Sequence, residues 1–163
     1  MSDWTTYAEG TRDPELPVLF LDVDGVLNCE QDFREGHQLC QRKIKMLNDL
    51  PPCDIVISST WRIGTYPHLV AALRWLGCKK AVVGKTPESW RKEQREDGKS
   101  YNCSMRGDEI DDWLGRNGRP HFAIVDDDGD MLEDQKSNFV QTTFKTGLTV
   151  DHVAELSTIL NRK

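Results

Sequence analysis

What this 163-residue sequence lacks narrows its identity before any motif is considered. It has no C-x-x-C pair. Cys29, Cys40, Cys53, Cys78 and Cys103 are odd in number and widely spaced, so neither a disulfide framework nor a cysteine-based zinc site is expected. Reduced thiols and a cytoplasmic location are the simplest expectation. His37, His68, His121 and His152 show no metal-ligand spacing either. No apolar stretch approaches the roughly 20 residues of a membrane-spanning helix, and Met1 to Pro17 is polar, without the apolar core of a signal peptide. Positive charge is also short. Lys and Arg total 21 against 27 Asp and Glu, a net charge of −6. That excludes broad, non-specific nucleic-acid binding, which depends on a basic surface, while leaving room for a local basic site. There is no internal repeat, no low-complexity tract and no G-x-x-x-x-G-K-[ST] phosphate loop.

What remains reads as one domain. Residues 1–16 form a polar N-terminal arm, and 17–163 are long enough to bury a sizeable core. Strands are predicted at Val18–Asp22, Asp54–Ser58, Lys80–Gly84, Phe122–Val125 and Phe139–Thr142. A polar loop is expected over 28–38, then a helix over Leu39–Leu50 with Ile44, Leu47 and Leu50 on one face, stopped by Pro51-Pro52. Further helices are expected over Pro67–Leu76, ended by Gly77, over Asp108–Asn117 with Ile110, Trp113 and Leu114 inward, and from an N-cap at Thr149 onward. Residues 85–105 are expected to be a highly charged loop. Strands alternating with helices imply an α/β fold, a Rossmann-like and mainly parallel sheet with helices on both faces.

Three of those strands end in chemistry. Val18-Leu19-Phe20-Leu21 runs into Asp22-Val23-Asp24-Gly25; Ile55-Val56-Ile57 runs into Ser58-Ser59-Thr60-Trp61-Arg62; Ile124-Val125 runs into Asp126-Asp127-Asp128-Gly129-Asp130. Asp and Gly are common turn residues, so each segment alone could be an ordinary turn. Together, at the carboxyl ends of parallel strands, they fall on one edge of the sheet, where such folds bind ligands. Clustered carboxylates suit a hard cation such as Mg²⁺, and hydroxyls with an arginine suit a phosphate. The combination points to phosphoryl transfer by a nucleophilic carboxylate.

The sequence resembles the haloacid dehalogenase-like (HAD) phosphatase superfamily. Asp22-Val23-Asp24-Gly25-Val26-Leu27 matches its first motif, Ile55 to Thr60 its second and Ile124 to Asp127 its fourth. Ser59-Thr60-Trp61-Arg62, the stretch Arg106 to Leu114, and Gly147-Leu148-Thr149 resemble more closely the HAD domains associated with RNA-repair proteins, and the phosphatase domain of bacteriophage polynucleotide kinase/phosphatase is related. The resemblance spans about Val18 to Leu160. It implies a Mg²⁺-dependent phosphomonoesterase in which Asp22 is the nucleophile and Asp24 the general acid and base. The metal would be held by Asp22, the main-chain carbonyl of Asp24 and an acid of the fourth motif, Asp127 being favoured, with Asp126 adjacent. The phosphate-binding hydroxyl is open among Ser58, Ser59 and Thr60, and the family's spacing to Trp61 favours Ser59. The basic residue of the third motif is expected at Arg106, with Lys85 as rival. Gly25, Thr60, Arg62 and Lys85 are further candidate phosphate or substrate contacts. The gaps between motifs are too short for a folded cap domain, so an open site is expected, suited to a large substrate such as a nucleic-acid 3′-phosphate end, while the acidic net charge favours a nucleotide or another small phosphate ester.

Other features read more plainly. Asp126 to Asp130 is not an EF-hand, because Met131 and Ser137 stand where Gly and Glu are needed. Trp61 could stack a base, but a tryptophan after a core strand is more often packing. Arg91, Lys92, Arg95 and Lys99 are interleaved with Glu93, Glu96 and Asp97, a solvated, salt-bridged segment rather than a nucleic-acid patch. Two other functional classes share the fold features. One is a non-catalytic phosphate- or partner-binding module, which has no need of both Asp22 and Asp24. The other is a receiver-type domain, whose acids are not arranged as D-x-D-G. No membrane and no obligate protein partner are inferred.

Overall fold

The computed structural model describes residues 9–88, 91–94, 96, 100–103 and 105–162. The elements in chain order are β1 (Val18–Leu21), α1 (Glu30–Arg34), α2 (Gln41–Met46), β2 (Asp54–Ile57), α3 (Arg62–Trp75), β3 (Val82–Lys85), β4 (Arg91–Gln94), β5 (Ser100–Cys103), α4 (Arg106–Arg116), β6 (Phe122–Asp126), β7 (Phe139–Gln141) and α5 (Val150–Leu160). Five strands form one all-parallel sheet in the order β3-β2-β1-β6-β7. β4 and β5 form a separate antiparallel hairpin.

Alternation along the strands divides the core into two layers. Leu19, Leu21, Ile55, Ile57, Ala123 and Val125 face one side, packed with Ile44, Leu69, Leu73, Leu156 and Leu160 from α2, α3 and α5. Val18, Phe20, Val56 and Ile124 face the other, where Ile110, Trp113 and Leu114 of α4 cover them and the rings of Phe20 and Trp113 meet edge to face at 5.4 Å. Strands buried on both faces read as continuous apolar runs, which is why β1 and β2 stand out in the sequence. The helices lie where right-handed crossovers put them: α2 and α3 on one face as the chain moves outward, α4 on the opposite face as it returns.

The chain departs from the sequence expectations in four places. The polar stretch 28–38 contains α1, whose Asp32 accepts a 2.8 Å hydrogen bond from the Cys29 amide at the helix start. The helix expected over 39–50 is a short α2 followed by a tighter turn over Leu47–Asp49, although Ile44, Leu47 and Leu50 are buried as expected. Helical structure begins at Arg62 instead of Pro67 but breaks at Ile63 and Gly64, the latter at φ 76°. Pro67 therefore sits in the first turn of the regular part, where the amides lack partners in any case. The charged segment holds the β4–β5 hairpin in place of a featureless loop; no sizeable cap is built there, and Arg95, Asp97 and Lys99 lie outside the described residues.

Residues 9–16 run back along the sheet. The Gly10 amide donates to the Val82 carbonyl at 2.8 Å, and buried Asp54 accepts from Arg12 Nη1 at 2.7 Å and the Asp13 amide at 2.8 Å. No helix among the described residues is long and apolar enough to cross a membrane.

Candidate active site

The direction of the chain reverses between β1 and β6: it proceeds from β1 to β2 and β3, then returns to β6 and β7 on the far side. In an open α/β sheet the crevice beyond the strand ends at this switch point is the ligand site. Here the strand ends are held together by the ladder itself. The Asp22 amide donates to Val125 O (3.2 Å), the Ser58 amide to Leu21 O (3.0 Å), the Thr86 amide to Ile57 O (2.9 Å) and the Thr142 amide to Asp126 O (3.0 Å).

Asp22, Asp126 and Asp127 converge at the switch point, with one carboxylate oxygen from each within 4.8 Å of the others. Asp22 and Asp126 are buried. Burial pushes the Asp22 carboxyl up to about 9, the neighbouring Asp126 adds to the rise, and Arg106 and the Val23 amide oppose it. Burial also raises Asp126, to about 6, against the Asp128 amide and Arg106. Asp126 Oδ2 is buried without a hydrogen-bond partner. Three convergent carboxylates, one with a buried oxygen that accepts no hydrogen bond, and no soft donor fit a hard divalent cation, whose charge would relieve the crowding.

Asp24 is fixed beside this cluster. Its Oδ1 accepts from Asn28 Nδ2 at 2.9 Å and its Oδ2 from Trp61 Nε1 at 3.1 Å. Asn28 is fully buried; its Oδ1 accepts the Gly25 amide at 2.8 Å and its Nδ2 also reaches the Gln38 carbonyl at 2.8 Å. Gly25 itself adopts φ 79°, and a Cβ there would stand 2.2 Å from Asp127 Oδ2. Only glycine lets the turn and Asp127 share this space. With its amide on Asn28 and its carbonyl accepting from Thr142 Oγ1, Gly25 shapes the turn.

The other expected residues separate clearly. Arg106 begins α4, with its amide on Asp130 Oδ2 at 2.9 Å. Its Nε is ion-paired with Asp126 Oδ2 at 3.3 Å, and its Nη1 is buried with no hydrogen-bond partner, so the guanidinium faces the acids with one donor uncommitted. Lys85 is exposed, with Nζ 5.1 Å from the centre of the Tyr66 ring. Ser58 lies next to Asp22 in the ladder, since Leu21 pairs with Ile57. Continuing the strand alternation puts Asp22, Ser58 and Asp126 on the α4 side with Phe20, Val56 and Ile124. Ser58 Oγ is buried without a partner, as is Thr86 Oγ1 on the neighbouring strand end. Ser59 Oγ instead accepts the Trp61 amide at 3.2 Å, and Thr60 is exposed. Arg62, expected at a phosphate, has its guanidinium occupied by the protein: Nε on Thr86 O (2.9 Å), Nη1 on Ser59 O (2.9 Å) and Nη2 paired with buried Glu109 of α4. It braces the β2 and β3 ends against α4.

A cavity of about 230 Å³ beside the acids is lined by Thr60, Arg62, Glu88, Arg106, Glu109 and Asp130, among others. Nothing in the sequence marks Asn28 and Glu109 for these roles, because an asparagine in a turn and a glutamate on a helix carry no signal until their partners are known. Trp61, assigned there to packing, also holds Asp24.

The motif spacing, the parallel sheet and the clustered acids meet in one comparison: the family model of the HAD domain in Swiss Army Knife RNA repair proteins matches residues 18–153. The chain belongs to this family. No curated protein and no solved structure matches the chain. The matched span runs from β1 into α5, so the whole sheet and the carboxylate cluster lie inside the HAD domain. HAD domains form a mostly phosphatase superfamily, and this one has a five-stranded parallel sheet without a large cap.

Proposed function

We propose that this HAD domain is a Mg²⁺-dependent phosphomonoesterase working through Asp22 on nucleotides or nucleic-acid phosphate ends, 3′-phosphates being the leading candidates. The observation that carries this reading is the convergence of Asp22, Asp126 and Asp127 beside Arg106, whose guanidinium is ion-paired with Asp126 and keeps a buried Nη1 without a partner. Asp22, Asp126, Asp127 and the Asp24 carbonyl would hold the cation, which neutralises phosphate charge and keeps Asp22 ionised.

In the first step an Asp22 carboxylate oxygen attacks phosphorus and the bond from phosphorus to the leaving oxygen breaks. Asp24 donates its proton to that oxygen. In the second step Asp24 takes a proton from water, which attacks phosphorus, freeing inorganic phosphate and restoring Asp22. Asn28 and Trp61 aim Asp24 for both transfers. Arg106 supplies donors to the phosphate, and the Ser58 hydroxyl, unpartnered on the Asp22 side, serves it better than Ser59.

The test is phosphate release with and without Mg²⁺ from p-nitrophenyl phosphate, 3′- and 5′-mononucleotides and phosphorylated oligomers. Turnover that requires Mg²⁺ and falls at least about a thousandfold in Asp22→Asn is expected. Full activity in that variant rules the mechanism out. A folded protein that binds phosphate esters and turns none over is instead the non-catalytic binding module.

A further inference from the structure

A second and larger hollow adjoins Asp24, whose hydrogen-bond partner Trp61 lines it. It is open to solvent and offers about 610 Å³, within the range of small-molecule sites. Leu39, Trp61, Leu69 and Ala72 form apolar wall, Gln38 and His68 add polar edges, and no Lys, Arg, Asp or Glu lines it among the described residues. Thr60 borders both cavities. The site therefore has two halves of opposite character: one with Arg62, Arg106, Glu88, Glu109 and Asp130, the other uncharged and aromatic.

Both oxygens of Asp24 are tied to the uncharged half. Oδ2 accepts from Nε1 of Trp61, whose ring lines the hollow, and Oδ1 accepts from Asn28, which also holds the carbonyl of Gln38 on the hollow's rim. Resting on the reading of Asp24 as the acid that protonates the leaving oxygen, this linkage locates the body of the leaving group. We infer that the hollow is a leaving-group subsite that takes the terminal nucleoside, with its base stacked on Trp61. A sugar and base are uncharged and have a planar face, which suits an aromatic wall without cations; a phosphodiester backbone would require the positive charge that this half lacks. Recognition would be by stacking on the last base and therefore tolerant of sequence.

The experiment measures binding, so it does not depend on turnover. Dinucleotides carrying a 3′- or a 5′-phosphate, with 2-aminopurine at the phosphorylated end, are titrated with the 163-residue chain carrying Asp22→Asn in Mg²⁺, alongside matched probes whose terminal sugar is abasic. The expected result is quenching of 2-aminopurine in at least one phosphate arm, with the abasic probe roughly five- to hundredfold weaker. Adding Trp61→Leu should weaken binding over the same range. Adding Trp61→Phe, which keeps a ring but removes the hydrogen bond to Asp24, should largely retain it. Abasic and base-bearing probes that bind equally, a bound probe that is not quenched, or no binding by any probe each overturn the subsite. The comparison of probes on one protein holds even if a Trp61 variant fails to fold. Base-dependent binding by a wild-type chain without turnover would sink the phosphatase, and with it the leaving-group role, and keep the hollow as a nucleoside-binding site; efficient hydrolysis of p-nitrophenyl phosphate with no base dependence in binding would keep the phosphatase and overturn the subsite.

Discussion

Asp22 shows how much of this site is electrostatic tension held in place by a single side chain. Its carboxyl is raised to about 9, chiefly by burial and then by Asp126. An acid with a raised folded pKa binds its proton more tightly folded than unfolded, where the value is about 3.9. The metal-free fold is therefore most stable, with respect to this group, below about pH 4, and loses that stability as pH climbs toward about 9. A divalent cation reverses the preference. Thermal melts should show Mg²⁺ raising the melting temperature more at about pH 8 than at about pH 5, with Asp22→Asn shrinking the difference; an equal shift at both pH values would contradict this. Gly25 makes the complementary point with no charge at all. In Gly25→Ala the new Cβ, 2.2 Å from Asp127 Oδ2, must push that carboxylate away and strain a backbone at φ 79°. Calorimetric titration should find Mg²⁺ bound on the order of ten- to hundredfold more weakly.

At the scale of elements, α4 does two jobs from one end. It brings Arg106 to the acids and, one turn later, Glu109 to Arg62, so the helix that completes the site is also anchored through a buried ion pair to the start of α3. Side-chain exposure is only 4% for Arg62 and 6% for Glu109, so breaking the pair leaves a bare charge inside the protein. Arg62→Ala should cost about 3–5 kcal/mol in urea unfolding, while Arg62→Met combined with Glu109→Leu should recover most of it. If Arg62→Ala instead lowers phosphate affinity with stability intact, the bracing role assigned here is wrong. Among the described residues, the β4–β5 hairpin is what stands between β3 and α4, in a place where larger HAD enzymes could carry a cap.

For the molecule as a whole, the proposed function requires an acidic HAD domain of the RNA-repair-protein family to recognise a nucleic-acid end locally. The net charge of −6 offers no long-range attraction to a polyanion, and the cationic groups near the acids are few and enclosed. Binding of phosphorylated ends should then involve about one or two phosphates. Its affinity should fall only about five- to twenty-five-fold per tenfold rise in salt, from the single-strand slope of roughly −0.7 per neutralised phosphate. A much steeper dependence would reveal a basic tract engaged along the strand.

Much of this protein follows from sequence alone, and the reason is local. Apolar runs buried on both faces announce β1, β2 and β6, and acids or hydroxyls immediately after such runs must lie on one edge of a parallel sheet. Asp22, Asp24, Asp126 and Asp127 were legible for that reason, and Thr149 as a helix cap for a similar one, since its hydroxyl accepts the His152 amide three residues on. What depends on non-local geometry was not legible. Strand register, absent from any one segment, puts Ser58 beside Asp22. Arg62 looks like a phosphate ligand until Glu109, 47 residues away, is seen to occupy it. Trp61 looks like packing until its indole nitrogen is found on Asp24, 37 residues earlier. A side chain's chemistry is written in its type, but its partner is chosen by the fold, because hydrogen bonds and ion pairs act over a few ångströms of space and not along the chain.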